Sequence, residues 1–217
     1  MNKALIKDAL ALTLITLVAG CLLGFVHKVT EKPIAEQEEK VKQEAYQTVF
    51  PEAKSFVAVE GMEDADAIAG HVKEAMKETD LAENNVINEI MAANALDATS
   101  SANPEIIGYV MTITNSEAYE GTLTLSMGIT VDGTVTGIEF TDIGETAGLG
   151  MKATEAVFKD QFKDKKVEAF AYTKSGASAD NEIDALSGAT ITTNSVTNAV
   201  NAGIAFYQYV TGGGSDE

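Results

Sequence analysis

The sequence predicts an α+β fold: an antiparallel β-meander sheet flanked by helices, preceded by one N-terminal transmembrane helix. Three stretches carry the prediction. Residues 9–26 form an apolar run long enough to span a bilayer, with Lys3 and Lys7 before it and His27 and Lys28 after it. Leu123, Leu125, Met127, Ile129 and Val131 alternate with small or hydroxylated residues, the period of a half-buried strand. Thr193, Val196, Val200, Ile204 and Tyr207 recur every three or four residues, the period of a helix with one buried face, and the run closes at Gly212-Gly213-Gly214.

Taken in order, residues 1–8 read as a cytoplasmic tip and 9–28 as a transmembrane anchor. With the lysines of the tip inside, everything after Val29 lies outside the cytoplasm. Two other readings export the same domain. A cleaved secretory signal would need polar sequence after its small residues, but Leu22-Leu23-Gly24-Phe25-Val26 continues the apolar run. Val18-Ala19-Gly20-Cys21 resembles a lipoprotein cleavage box with an acylated Cys21, and the same apolar residues argue against it; a buried, inert cysteine is the default.

Residues 29–50 are predicted as a helical spacer, with Pro33 suited to the first turn of a new helix. Residues 51–104 are acidic and Ala-rich and are predicted mostly helical. Ile68, Val72, Ala75 and Met76, then Val86, Ile87, Ile90 and Met91, have helical spacing, and 97–104 reads as a loop. His71 has no companion at ligand spacing and reads as a surface helix residue.

The period changes within 105–210. A β-branched run at 106–113 precedes the alternating strand. Asp132-Gly133 is a hairpin signal that admits positive φ, and Gly137 offers a bulge where the return strand switches parity. A Gly-rich loop over 142–151 leads to a predicted helix through Ala156, Val157, Phe158 and Phe162, then a short strand over 166–172. Residues 211–217 read as a flexible tail.

Composition removes several function classes. The net charge of -18 argues against nucleic acid or anionic lipid as a binding partner. All fifteen residues of the Lys+Arg count are Lys, so the planar fork that grips phosphates is missing; backbone amides, hydroxyls or Lys must hold any phosphate. One cysteine excludes a disulfide framework, a multi-Cys zinc site and an all-Cys iron–sulfur cluster.

Two motifs remain, Gly144-Glu145-Thr146-Ala147-Gly148-Leu149-Gly150 and Asp184-Ala185-Leu186-Ser187-Gly188-Ala189-Thr190. Alone, the second is a helix start, with Ser187 or Thr190 as the N-cap. The pair, behind an N-terminal anchor and Tyr119-Glu120-Gly121, resembles the covalent-FMN domain of the RnfG family, which belongs to the Rnf electron-transport complex. The corresponding flavoprotein of the sodium-pumping NADH:quinone reductase is the cousin. The resemblance covers the anchor and residues 106–209.

The resemblance implies an FMN-binding domain with FMN joined to the Thr190 hydroxyl as a phosphoester. A dedicated flavin transferase would install it outside the cytoplasm with FAD as donor. Asp184, Ser187, Gly188 and Ala189 would be read by that transferase or shape the turn. Glu145, Thr146, Gly148, Leu149 and Gly150 would lie against the flavin. The sequence departs from the family at Ala147, where Pro is usual, and at Ile143, often His. The implied role is a membrane-anchored electron-transfer component of an ion-translocating ferredoxin:NAD oxidoreductase, with the other Rnf membrane subunits as partners and no catalysis alone. Alternatives are the quinone-reductase flavoprotein, a free-standing extracellular electron-transfer flavoprotein, or an exported scaffolding or adhesive domain without flavin.

Overall fold

The structure, a computed structural model, describes residues 3–62, 65–77, 79–96 and 105–212, without the side chains of 3–5 and 65. The predicted loop over 97–104 and the end of the tail, 213–217, lie outside the described residues. The chain divides into two compact units, Met1–Val41 and Lys42–Glu217.

Helix α1 (Lys3–Val49) provides the first unit and the first residues of the second. It is the only helix among the described residues long and apolar enough to cross a membrane. Leu10, Leu14, Leu17, Leu23 and Phe25 are each at least 60% exposed, so apolar surface surrounds the helix, an arrangement suited to lipid and costly in water. The Thr13, Thr16 and Thr30 hydroxyls donate to the carbonyls of Ala9, Leu12 and Val26 at 2.8, 3.1 and 2.9 Å, so none needs water. Cys21 is exposed on this helix, not buried as expected. The sequence also suggested a second helix starting at Pro33, whereas Pro33 lies inside one continuous helix. Proline removes one intrahelical donor. The Glu, Gln, Lys and Ala residues around it are strong helix formers, and they carry the helix through.

The second unit is built on a five-stranded antiparallel sheet, β1 (Ser55–Ala58), β2 (Asn85–Asn94), β3 (Ile106–Ala118), β4 (Gly121–Thr130) and β5 (Val135–Ile143), in chain order. The meander expectation holds from β3 to β5. Gly133 has φ 87°, and its N–H donates to the Thr130 carbonyl at 3.0 Å, closing the predicted turn. The register skips between Gly128/Gly137 and Ile129/Val135, which is the bulge expected beside Gly137.

Between β1 and β2 lie α2 (Ala65–Ala75) and the single turn α3 (Leu81–Asn84). Ile68 and Val72 are buried, as the helical period requires. Val86 to Met91, expected as helix, belong to β2 instead. The reason is a bulge at Asn88: Ile87 pairs with Ile113 and Glu89 with Thr112, so Ile87 and Ile90 are both buried three residues apart. A bulged strand thereby imitates a helical repeat.

Strand β4 is covered on both faces rather than half-buried, because Ser126 and Gly128 are buried as well as Leu125, Met127 and Ile129. Helix α5 (Thr190–Gly212) covers the first face: a Cβ on Gly203 would stand 2.8 Å from Ile113 Cδ1 and Met127 Cε. The last turns of α1 cover the other. A Cβ on Gly128 would lie 2.8 Å from the Val49 carbonyl oxygen, and the Tyr46 hydroxyl donates to Glu89 Oε2 at 2.8 Å while meeting Thr112 Oγ1 at 2.9 Å. Each large aliphatic side chain in this core stabilises by about 1.5–3 kcal/mol.

Beyond β5 the regular elements shorten. The expected helix is one turn, α4 (Ala156–Lys159), followed by a 3-10 turn at Asp160–Phe162. Phe158 and Phe162 are buried edge to face, centroids 5.7 Å apart, so aromatic packing produced the helical spacing. The strand expected over 166–172 is reduced to β6 (Ala171–Thr173), paired in parallel with β7 (Glu182–Asp184).

Candidate functional site

The two motifs meet. Helix α5 starts at Thr190, directly after a turn in which the Ala189 N–H donates to the Leu186 carbonyl at 3.0 Å. Gly188 takes the third turn position with φ 79°, the left-handed conformation that Gly accepts most readily there. Neither expected N-cap makes the capping bond. Thr193, inside the first turn, instead fastens the preceding turn to the helix: its hydroxyl accepts the Leu186 N–H at 3.0 Å and donates to the Ala189 carbonyl at 2.9 Å. The Ser187 and Thr190 hydroxyls have no hydrogen-bond partner among the described residues. The first-turn amides of Thr190, Ile191 and Thr192 lack carbonyl partners in the same way, as at any helix start.

Thr193 is fully buried, so Thr193→Val leaves the Leu186 amide without a partner at nearly constant shape. The expected loss is about 1–3 kcal/mol, measured as a fall in the thermal midpoint and as faster hydrogen exchange at Leu186.

The Gly-rich loop lies across this turn. Glu145 is 8% exposed, and its Oε1 accepts the Tyr119 N–H at 2.9 Å. Gly150 is required by this carboxylate, since a Cβ there would overlap Oε2 and come within 2.8 Å of the Glu145 Cβ and Cδ. Leu149 packs over the turn, with Cδ2 3.2 Å from where a Gly188 Cβ would be. Thr146 Oγ1 donates to Glu120 Oε1 at 3.1 Å, tying the loop to the turn before β4.

Between loop and turn lies a cleft of about 510 Å³. Its lining includes Glu145, Thr146, Leu149 and Gly150 from the first motif and Gly188, Ala189 and Thr190 from the second. Tyr119, Ile191 and Thr192 complete it; sequence reasoning did not assign them to the site, although Tyr119 opens the Tyr-Glu-Gly signature. Tyr119, Leu149 and Ile191 are 66%, 44% and 52% exposed, so three large apolar side chains converge where a flat aromatic ligand would bury them. A free hydroxyl, unpaired amides and apolar walls around a ligand-sized volume fit a phosphate joined to a planar ring. Gly148 (φ 77°) shapes the loop without lining the cleft.

Asp184 also lies outside the cleft lining. Its Oδ1 accepts the Ala177 N–H at 2.7 Å, and its own N–H donates to Gln161 Oε1 at 2.6 Å. A smaller cavity of about 260 Å³ also opens on this turn, bounded by Ser187, Gly188, Thr190 and Lys174 among others. The segment between β6 and β7 is closed by Glu182, which accepts the Ser178 N–H at 2.8 Å, the Ala179 N–H at 3.2 Å and the Ser178 hydroxyl at 3.0 Å. These bonds favour the ionised form and hold the Glu182 carboxyl below its usual range, so the segment's order is present at neutral pH and is lost as pH falls through that depressed value. Exchange protection of the Ser178 and Ala179 amides is expected to outlast the ordinary Glu titration and vanish at lower pH.

Residues 118–205 match the FMN-binding domain family, and residues 1–49 match the RnfG N-terminal region. A protein of the Na(+)-translocating ferredoxin:NAD(+) oxidoreductase complex of Acetobacterium woodii is 33% identical over 211 residues, 95% of this chain and 93% of that protein. Its counterpart in the proton-translocating ferredoxin:NAD(+) oxidoreductase complex of Clostridium ljungdahlii is 26% identical, covering 93% and 91%. A component of the Na(+)-translocating NADH-quinone reductase of Pasteurella multocida is 42% identical over 81 residues, 34% of this chain and 31% of that protein. With the anchor and the flavin domain both matched, and a relative above 30% identity along nearly its whole length, the chain belongs to the RnfG family of ion-translocating ferredoxin:NAD(+) oxidoreductase complexes.

Proposed function

We propose that this chain is the membrane-anchored electron-transfer component of an ion-translocating ferredoxin:NAD oxidoreductase, carrying FMN covalently on Thr190. The single observation that carries the attachment is the Thr190 hydroxyl: it is unpaired among the described residues, at the start of a 23-residue helix, on the wall of the cleft. In the loading step Thr190 Oγ bonds to the phosphorus of the FMN half of FAD. The bond to the AMP half breaks, AMP leaves, and the hydroxyl proton passes to a base of the flavin transferase. The bound group supplies one- and two-electron chemistry. This chain's residues do the rest: the first-turn amides receive the phosphate, while Tyr119, Leu149 and Ile191 shield the ring from water.

The apolar α1 anchors the domain, and the lysines of the tip keep the N-terminus in the cytoplasm. The domain and its flavin therefore work outside the cytoplasm, where a covalent bond prevents loss of the cofactor. The other Rnf membrane subunits are the electron partners. The match of residues 1–49 to the RnfG N-terminal region favours this circuit over the quinone reductase, whose similar component matches over one third of the chain.

The test is mass spectrometry of the Thr190 peptide after co-expression with the transferase. An FMN phosphodiester on Thr190 is expected. An unmodified Thr190 in a protein shown to be exported with active transferase would sink the reading and favour a flavin-free scaffolding domain.

A further inference from the structure

We infer that Lys174 is the cation that pairs with the phosphate on Thr190, and that Asp184 is the positioning residue that keeps it there. The inference rests on the phosphoester reading and assigns two residues a job within it. Thr190 and Gly188 border both cavities. The large one has the apolar walls that suit a ring. The small one is bounded by Lys174, Ser187 and Thr190 among others, and Lys174 is the one charged residue on its wall. The chain has no Arg, so a phosphate here draws its positive charge from Lys or from helix amides. Lys174 is exposed and has no ion-pair partner among the described residues, in a chain with more than twice as many acids as bases.

Lys174 is held in place by its neighbours. Thr173, the residue before it, pairs with Asp184 across β6 and β7, and the Ala185 N–H donates to the Thr173 carbonyl at 2.8 Å. After Lys174 the chain reverses: the Ser175 N–H donates to Thr173 Oγ1 at 3.2 Å, and the Ala177 N–H to Asp184 Oδ1 at 2.7 Å. The Asp184 carboxylate thus closes the loop that presents the lysine, six residues before the attachment point. This explains an acid at the head of a motif that receives an anion: its charge is spent on the 174–177 loop and stays outside both cavity linings.

The experiment uses the full-length chain co-expressed with the transferase, comparing wild type, Lys174→Gln, Lys174→Arg, Asp184→Ala and Lys166→Gln. Two readouts are taken: the rate of flavin loading at limiting transferase, and the 31P resonance of the phosphodiester in the loaded fraction. Lys174→Gln and Asp184→Ala are expected to slow loading about three- to tenfold, the scale of one charge-assisted contact near a surface. Both should move the 31P resonance, and the Lys174→Arg signal should lie near that of wild type. Lys166 pairs with Asp132, outside the cleft, and Lys166→Gln should change neither readout. A 31P resonance unmoved by Lys174→Gln overturns the inference, even if loading slows, because the lysine then serves only transferase recognition. A wild-type chain without flavin on Thr190 overturns the inference together with the reading beneath it.

Discussion

Thr190→Ala is expected to abolish covalent flavin, leaving a denatured gel band with no ultraviolet-excited fluorescence under conditions in which the wild-type band glows. The expected effect is total, because no other residue supplies the phosphoester oxygen. Folding does not confound the result. The Thr190 hydroxyl has no hydrogen-bond partner among the described residues, and Ala suits a helix better than Thr, so stability should change by no more than about 0.5 kcal/mol. Thr190→Ser retains the oxygen and should retain some label. A fluorescent Thr190→Ala band would move the attachment elsewhere, with Ser187, the other unpaired hydroxyl of the turn, next in line.

Phe162→Ala carries the largest expected stability loss. Phe162 has no exposed surface and stands between two rings, 5.7 Å from Phe158 and 5.0 Å from Phe170, both edge to face. Truncation removes the area and opens a cavity that rigid neighbours cannot fill, costing about 3–5 kcal/mol. For a unit of this size that lowers the thermal midpoint by about 10 °C in detergent. The damage also reaches the site, because the adjacent Gln161 holds the Asp184 N–H at 2.6 Å. The loaded flavin fraction should therefore fall with stability. A midpoint shift below about 3 °C would show that the aromatic cluster does not support this side of the domain.

The sequence reading succeeded where one physical signal dominated. An apolar run of bilayer length admits few structures, alternation from Leu123 to Ile129 reads as strand, and the spacing from Thr193 to Tyr207 reads as helix. The two motifs were legible because glycines and hydroxyls at fixed spacing record backbone needs: Gly188 has φ 79°, and Gly150 leaves room for Glu145. It failed where side-chain period and backbone state part company. The bulge at Asn88 gave β2 a helical spacing, Phe158 and Phe162 did so across one helical turn and a 3-10 turn, and Pro33 was absorbed into a helix that its neighbours favour.

By itself, then, the sequence determined the anchor, the meander, the long last helix and the residue proposed to carry the cofactor, since each depends on local period or on a short contiguous motif. Only the tertiary structure decided what surrounds that residue. Tyr119 is 71 positions from Thr190 in the chain, Glu145 is 45 and Lys174 is 16, and they become neighbours because the sheet, the Gly-rich loop and the β6–β7 pair converge on one helix start. Long-range packing set by backbone hydrogen bonds and buried area has no signature in local spacing. For that reason neither Ser187 nor Thr190 caps the helix, Thr193 fastens the turn from within, and the Thr190 hydroxyl has no partner among the described residues.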